Sequence, residues 1–421
     1  MAQSQLRLLG TRKLLPLFIA QFLGAVNDNL FKNALVILVA YRDTTSATAT
    51  EIVVTLAAAL FILPYFIFSA TAGQLADKFE KARLVQVVKL WEVGVMLAAA
   101  VSFALDSLVI QLLVLFLLGV QAAFFGPVKY GILPELLAPD ELLAGNGLIE
   151  AGTFLAILIG TIAGGLLILA PGGPAIVSLT QLLFAIGGWG ASLFVPRGRA
   201  GAPHLVINPN IFGETWRIIR HAYGMRALRQ TLFGISWFWL VGAAFLAQFP
   251  NYAKVVLAGN NEVVTLFLTL FTVGIGVGSL LCSRLQNGRV NLALVPWGAL
   301  GLTVFGFDLW LASTGPVDGG LVGALTFMAQ PAHWRITFDL LAIALAGGIY
   351  CVPLYAVMQS RSEPDYRARI IAANNILNAL FMVFAGVASA LMLAAGSGIT
   401  GIFLALAIGN AAVTVYAFRA R

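Results

Sequence analysis

Residues 21–33 read Gln-Phe-Leu-Gly-Ala-Val-Asn-Asp-Asn-Leu-Phe-Lys-Asn and lie inside the first long apolar run of the chain, residues 14–41. A helix of about 20 residues spans a bilayer, so this run predicts a membrane-spanning helix. That helix would carry an acid, a base and three asparagines at membrane depth. Such a segment indicates a helical membrane protein with a polar interior.

The polar residues of this segment share one face of the predicted helix. At 100° per residue, Gln21, Asp28 and Lys32 fall within a narrow arc, with Gly24 at its border. Asn29 and Asn33 flank the same arc on one side. Because ionisable groups in hydrocarbon each cost at least about 2.5 kcal/mol, this stripe must face the bundle interior or a watery cavity. We therefore predict a polar ligand site; the alternative is an ion pair between Asp28 and Lys32 that only locks helix packing.

Composition places nearly the whole chain in a membrane. Of its 421 residues, 60% are hydrophobic and 10% are charged, and the mean hydropathy is +0.93. Soluble domains do not have this composition. The first apolar run is too long and too polar for a signal peptide, so we take the N-terminus as mature. Cys282 and Cys351 fit no metal or redox spacing and are interpreted as packed core thiols.

We predict an all-α membrane protein with twelve transmembrane helices, because twelve apolar runs have the length of a span. The predicted spans are residues 14–41, 52–76, 84–105, 108–125, 147–170, 175–195, 230–256, 263–283, 292–313, 336–358, 370–395 and 399–418.

The basic residues give the predicted orientation. Lys and Arg concentrate in the connections on one side of the twelve spans, whereas the other side keeps only Arg42, Lys254 and Arg335. By the positive-inside rule, both termini are expected in the cytoplasm. The net charge of +7 does not predict nucleic-acid binding, because the basic residues alternate with spans and form no patch.

The longest polar connection divides the chain into two six-helix halves. We predict an N-terminal half at residues 1–196, a cytoplasmic linker at 197–229 and a C-terminal half at 230–421. Within the linker an interfacial helix is expected, with an apolar face opposite its polar residues. The apolar face comprises Phe212, Trp216, Ile219 and Tyr223, and the opposite face Glu214, Arg217 and His221. A simple polar linker is the alternative.

The two halves echo one another weakly. Lys129-Tyr130 after the fourth span is matched by Tyr355 after the tenth, and Pro139-Asp140 is matched by Pro364-Asp365. Two halves repeated in parallel are the architecture of a rocking transporter, which places its site at the interface between the halves.

Residues 73–83 read Gly-Gln-Leu-Ala-Asp-Lys-Phe-Glu-Lys-Ala-Arg and form the most specific motif of the chain. Gly73 permits close helix approach, and Asp77 can cap or pair at the cytoplasmic end. Lys78, Lys81 and Arg83 offer partners for carboxylates on neighbouring helix ends, so we predict a gating role for these five residues. The motif resembles the loop between the second and third helices of the major facilitator superfamily. A basic loop that only sets topology is the alternative.

Within that superfamily, the chain resembles the lysophospholipid transporters, including those fused to acyl-carrier-protein-dependent phospholipid acyltransferases. Residues 21–33, 125–134, 145–150 and 248–252 carry this resemblance. It implies flipping of lysophosphatidylethanolamine-type lipids from the outer to the inner leaflet of the bacterial inner membrane. No acyltransferase domain follows Arg421, so a separate acyltransferase partner at the cytoplasmic face is expected.

A zwitterionic lysolipid needs an anionic partner for its ammonium and a cationic or amide partner for its phosphate. Asp28 can meet the ammonium, and Lys32 with Asn29 the phosphate, with Gln21 and Asn33 beside them. We expect a second, inner station for the head group, formed by Lys129, Tyr130 and Glu150. An amide from the other half would come from Asn374. For these four, helix capping or hydrogen bonding between helices is the alternative.

An enzyme is not indicated. His204, His221 and His333 are scattered, and neither a nucleophile elbow nor a metal-ligand spacing is present. We expect no cofactor, no metal and a monomer among membrane lipids. The remaining alternative is a proton-coupled exporter of another small amphiphile or drug, in which Asp28 or Glu150 would titrate.

Three further polar features occur within the spans. Lys89 and Glu92 lie three residues apart and are expected to form a structural pair. Asp308 and Asp339 lie towards the outer ends of their spans, where they could snorkel to the interface or line the outer mouth.

Overall fold

The computed structural model describes residues 5–40, 47–313 and 320–419. Twelve helices in these ranges are long and apolar enough to cross a membrane, as predicted. They are α1 (Leu15–Ala40), α2 (Ala47–Lys78), α3 (Lys81–Ala104), α4 (Leu108–Leu136), α5 (Leu142–Leu169), α6 (Gly173–Ser192), α8 (Arg226–Asn251), α9 (Asn261–Leu285), α10 (Val295–Ala312), α12 (Ala332–Arg361), α13 (Arg367–Ala394) and α14 (Gly398–Arg419).

Two shorter helices and two turns complete the fold. Helix α7 (Ile211–Gly224) lies in the linker, and α11 (Ala324–Ala329) precedes α12. A 3-10 turn, Gln5–Gly10, precedes α1, and a π turn, Tyr252–Val256, extends α8.

Polar caps mark several helix starts. The Ser107 side chain accepts a hydrogen bond from the Ile110 N–H at the start of α4. Asn210 caps α7 and Asn260 caps α9 in the same way. These side chains satisfy backbone donors that have no partner inside the helix.

Several helices are longer than their apolar runs. Helix α4 continues to Leu136 although the predicted span ended at residue 125, and Pro127 and Pro134 lie inside it. Proline is tolerated within membrane helices because neighbouring groups can satisfy the freed backbone carbonyls. The helix therefore delivers Lys129 and Tyr130 to the bundle interior instead of to a loop.

Glycine contacts fix the position of α1 within the N-terminal half, which comprises α1–α6. A Cβ atom at Gly160 of α5 would lie 2.5 Å from the Val26 carbonyl oxygen, and one at Gly164 would lie 2.5 Å from that of Leu30. Small residues allow this close backbone approach. Helix α1 is thus held against α5, with its polar segment at the middle of the bundle.

The C-terminal half comprises α8–α14. It meets the N-terminal half at the end of the bundle where α1 begins and α14 ends, called here the terminal end. Residues 142–150 of α5, 350–359 of α12 and 368–379 of α13 are buried without interruption, whereas exposed residues recur in α13 from Leu380 onwards. A membrane helix buried on every side must be surrounded by protein, so the two halves enclose these segments.

Helix α7 lies in the connection between α6 and α8. Phe212 and Trp216 are 88% and 68% exposed. Glu214, expected on the polar outer face, is instead fully buried and pairs with Arg217. Asn208 donates a further hydrogen bond to Glu214, and such partners allow a carboxylate to be buried. The Glu214 carboxylate also raises the pKa of the Arg217 guanidinium above its usual range.

Candidate functional site

Asp28 and Lys32 lie one helical turn apart on α1 but do not form an ion pair. The Lys32 ammonium donates a hydrogen bond to Asn29 Oδ1 at 3.2 Å and lies 5.7 Å from the centre of the Phe61 ring. One carboxylate oxygen of Asp28 is buried and accepts no hydrogen bond within the described residues. The alternative reading, an ion pair that only locks packing, is therefore not formed in this structure.

The predicted pair between Lys89 and Glu92 is confirmed, with a separation of 2.5 Å and both side chains buried. Glu92 also accepts hydrogen bonds from Asn27 of α1 at 3.2 Å and from Gln121 of α4 at 3.0 Å. The Lys89 ammonium occupies the space that a Cβ at Gly24 would fill. The pair thus binds α3 and α4 to the polar face of α1.

A second polar group surrounds Glu150 of α5. The Tyr130 hydroxyl donates to Glu150 at 2.5 Å, and the Tyr130 ring stacks on Tyr355 with centroids 4.6 Å apart. The Trp239 indole N–H donates to the Tyr355 hydroxyl at 3.0 Å. The Lys129 ammonium lies 4.5 Å from the centre of the Tyr130 ring. Tyrosines from matching positions of the two halves therefore meet face to face.

Lys129 interacts electrostatically with acids of both polar groups. Its charge acts on Asp28 of α1, as do those of Lys32 and Lys89, and on Glu150 of α5. Asp28, Lys32, Lys129 and Glu150 thus belong to one polar region of the N-terminal half, in which no hydrogen bond among the described residues joins the α1 group to the group around Glu150.

The remaining predicted residues have other partners. Gln21 Oε1 accepts a hydrogen bond from Thr153 at 3.1 Å, and Asn33 donates to the Thr161 carbonyl at 2.5 Å. Both bonds attach α1 to α5. Asn374 is fully buried in α13, and its amide nitrogen and oxygen have no hydrogen-bond partner among the described residues. It is not joined to the polar region by a hydrogen bond.

Asp77 joins the two halves at the terminal end. Its carboxylate accepts hydrogen bonds from the backbone N–H of Ala368 at 2.8 Å and of Arg369 at 3.2 Å, and from Arg369 Nε at 2.9 Å. It thereby caps the first turn of α13, where an anion is favoured. A Cβ at Gly73 would lie 2.7 Å from that of Ala372, so glycine permits this contact.

The basic residues of the motif have different environments. Lys81 pairs with Glu135 at 2.8 Å, inside the N-terminal half. The Lys78 ammonium lies 5.8 Å from the Phe79 ring, and Arg83 is exposed. Among the basic motif residues, Lys81 is the one that pairs with a carboxylate on a neighbouring helix end among the described residues; the gating role of the motif stays a prediction.

Further contacts between the halves lie at the same end. Asn146 of α5 and Gln359 of α12 exchange two hydrogen bonds, of 2.7 and 2.9 Å. A Cβ at Gly147 would lie 2.6 Å from the Ser279 carbonyl oxygen. The terminal end is therefore closed by polar bonds and close backbone packing.

Sequence reasoning missed the roles of Asn27, Gln121 and Tyr355. Asn27 and Gln121 were visible as amides inside apolar runs, and Tyr355 as a match to Tyr130 in the repeat. Their partners could not be found, because that requires knowledge of which helices are neighbours. Asp308, whose position was left open, pairs with Arg335 at 2.5 Å.

Three comparisons relate this arrangement to known proteins. Residues 17–386 match the family model described as Major Facilitator Superfamily. The chain is 30% identical over 380 residues to the lysophospholipid transporter LplT of Salmonella gallinarum, which covers 87% of this chain and 84% of that protein.

Two solved structures share the fold. The human organic anion transporter MFSD10 matches with a TM-score of 0.74 at 15% identity, over 96% of this chain and 98% of its own. A bacterial homologue of the iron transporter ferroportin, in its outward-facing state, matches with a TM-score of 0.69 at 16% identity, over 97% and 100%.

Proposed function

The chain belongs to the major facilitator superfamily and, within it, to the lysophospholipid transporter family, and on this premise we propose how it handles its lipid. The proposed substrate is a lysophosphatidylethanolamine-type lipid. The protein moves it from the outer to the inner leaflet of the bacterial inner membrane by alternating access, with both chain termini in the cytoplasm.

The observation that carries this proposal is the separation of charges on α1. Asp28 and Lys32 are both half-buried and lie one helical turn apart, without pairing to each other. An acid and a base left in this state can bind the ammonium and the phosphate of one zwitterion. If Asp28 and Lys32 were paired with each other, neither charge would be available to a ligand.

The polar region suggests two successive stations for the head group. Asp28, Lys32 and Asn29 form the first, with Gln21 and Asn33 holding α1 against α5. Lys129, Tyr130 and Glu150 form the second, and Asn374 contributes from the other half. The proposed gate at the terminal end comprises Gly73, Asp77, Lys78, Lys81 and Arg83.

Closure of the terminal end fits a state that receives substrate from the opposite end. Separation of α2 from α13 at Asp77, and of α5 from α12 at Asn146, would open the terminal end and release lipid there. In this cycle the hydrogen bonds of Asp77 break and re-form once per lipid moved.

Transport into proteoliposomes tests the proposal. Purified protein is reconstituted and inward movement of labelled lysophosphatidylethanolamine is followed for the unsubstituted chain and for Asp28→Asn. We expect transport by the former and its loss in the variant. Absence of lysolipid movement by correctly folded protein would reject the lipid assignment.

A proton-coupled exporter is the second candidate, and one observation favours it. The buried Asp28 oxygen that accepts no hydrogen bond can be neutralised by a proton as well as by a substrate ammonium. The same vesicles with and without a proton gradient separate the two. A gradient requirement for a different amphiphile, together with no lysolipid movement, would support the exporter.

The proposed working unit is a monomer among membrane lipids. A separate acyltransferase on the cytoplasmic face would consume the flipped lysolipid. Size measurement of the protein in detergent tests the first statement, and coupled reacylation in vesicles with an added acyltransferase tests the second.

A further inference from the structure

A cavity of about 550 Å³ lies inside the C-terminal half at the terminal end, between the starts of α8 and α10 and the ends of α12 and α14. Its lining includes Phe233, Leu354, Val357 and Val413. The two polar groups of the N-terminal half contribute no residue to its wall. It is therefore separate from the proposed transport site.

Polarity changes along the depth of this cavity. Leu354 and Val413 are 2% and 6% exposed and Tyr350 is 1% exposed, so two aliphatic side chains and one aromatic ring form its inner part. Arg361 is exposed at the last residue of α12, and Tyr416 is 42% exposed. Within the described part of the chain, no ion pair or hydrogen bond engages the Arg361 guanidinium. The cavity thus combines an apolar interior with an unused cation at its rim.

We propose that this cavity binds an anionic phospholipid of the leaflet on the terminal side, with one acyl chain inside and the phosphate on Arg361. The volume falls in the range of specific ligand pockets, of about 300–1,000 Å³. A guanidinium binds phosphate oxygens through paired hydrogen bonds.

A phospholipid fits better than a soluble amphiphile because of where the cavity lies. It is formed by the ends of four membrane-spanning helices, at the depth of lipid head groups. Anionic lipids are concentrated at this depth and are attracted by basic residues at helix ends. The bound lipid would fill a space between α8 and α14 without entering the transport path.

Lipid retention by the purified full-length protein tests the proposal. Delipidated protein receives phosphatidylglycerol carrying a photoreactive group in its acyl chain, and native mass spectrometry counts retained lipids. We expect one tightly held lipid and cross-links to α8, α10, α12 or α14. Arg361→Gln should weaken retention about tenfold through loss of a charge-assisted hydrogen bond. Val413→Phe should abolish it by filling the cavity.

Arg284→Gln is the matched control, because it removes the same charge from the exposed last turn of α9 outside the cavity. Its lipid retention should equal that of the unsubstituted chain. Thermal unfolding checks that each variant is folded, and Val357→Phe replaces Val413→Phe if the latter is not.

Four outcomes would overturn the proposal. Equal retention by Arg361→Gln, Val413→Phe and the unsubstituted chain would reject this site, as would cross-links confined to other helices. Displacement of the lipid by palmitate at equal concentration would identify a fatty-acid site instead. Displacement by inorganic phosphate alone would indicate a head-group site without a chain pocket. Because no readout involves transport, failure here is distinguishable from failure of the proposed function.

Discussion

Asp28 and Glu92 are acids in the same polar region, yet their surroundings give them different uses. Glu92 is held by Lys89, Asn27 and Gln121, so its charge is fully compensated. Asp28 has one buried oxygen without a donor. A compensated acid stabilises the fold, whereas an uncompensated one is available to a ligand.

Two substitutions separate the proposed roles of Asp28 and Lys32. Asp28→Asn should lower transport of lysophosphatidylethanolamine about tenfold or more, because a hydrogen bond to a charged group contributes about 1.5–3 kcal/mol. Transport of lysophosphatidylglycerol, which has no ammonium, should fall less. Lys32→Ala should lower transport of both lipids, since both carry phosphate. Initial rates in proteoliposomes measure these effects.

Asp140→Asn, in an exposed loop, is the control for charge removal and should leave both rates unchanged. Equal losses for the two lipids in Asp28→Asn would argue against an ammonium contact. Near-normal transport by both α1 variants would reject the site.

Lys89→Met should destabilise the protein by about 3–5 kcal/mol, because it leaves the buried Glu92 charge without its partner. Adding Glu92→Leu should restore part of this lost stability, since the unpaired Glu92 charge is then removed as well. Thermal unfolding in detergent measures both variants. A melting temperature unchanged in Lys89→Met would contradict a role for the pair in holding α1, α3 and α4 together.

At the residue scale, the sequence indicates which side chains are unusual but not what they touch. Asp28 and Lys32 stand out because charges in a span are costly. Their spacing also suits an internal ion pair, and only the structure shows that the Lys32 ammonium donates to Asn29 instead. The Lys89–Glu92 pair is predictable from its spacing, whereas its bond to Asn27 of another helix is not.

At the scale of elements, α13 shows how one helix start controls a contact between the halves. Its first turn is capped by Asp77, a residue of α2, instead of by a side chain next to it in the chain. The cap therefore exists when the halves are closed at the terminal end. Separation of the halves would leave the helix start without its anion.

Asp77→Asn should open the terminal end more often. Loss of an anion at a helix N-terminus costs about 0.3–2 kcal/mol, which allows up to about a thirtyfold rise in the open population. Cys351 lies one turn before Tyr355 on α12 and is 2% exposed. In a Cys282→Ser background, the rate of maleimide labelling of Cys351 should rise accordingly.

Glu141→Gln is the control, because Glu141 pairs with Lys13 inside the N-terminal half at the same end. Its labelling rate should match that of the Cys282→Ser background. Unchanged labelling in Asp77→Asn would count against a gating role for the cap.

Element boundaries illustrate what local patterns can and cannot give. Local pattern favours Asn208 and Pro209 as the start of the linker helix, yet α7 begins at Ile211 with Asn210 as its cap. The continuation of α4 through Pro127 cannot be predicted locally either, since proline ordinarily ends a helix and only the surrounding bundle makes it tolerable. Asp77 is predicted from its motif to cap or pair, but its partner on α13 is set by the approach of the two halves.

At the scale of the whole molecule, residues that match in the weak sequence repeat contact each other across the two halves. Tyr130 and Tyr355 occupy matching positions in the two halves and stack on each other. The twelve spans follow from hydropathy, and the division into two halves stays a prediction from the repeat. Closure at one end follows from neither, because the same sequence must also adopt the opposite arrangement if it alternates.

A reversible bridge between the halves tests alternation. Cysteines at Asn146 and Gln359, joined by a cross-linker with an internal disulfide, should reduce transport to below about a tenth by holding the terminal end closed. Reduction should restore it. Thr303→Cys with Thr414→Cys joins α10 and α14 within one half, where the two hydroxyls lie 2.9 Å apart, and should leave transport unchanged. Full transport by the bridged halves would exclude rocking.

Trp239 lies beside the Tyr130–Tyr355 stack that joins the two halves. Its indole N–H donates to the Tyr355 hydroxyl, and its ring stacks on Phe154. Indole emission responds to polarity and to nearby rings. The chain has eight tryptophans, so replacing the other seven by phenylalanine would leave one optical reporter at the meeting point of the halves. The protein therefore carries its own fluorophore for watching single turnovers in native lipid, without a dye or an added label.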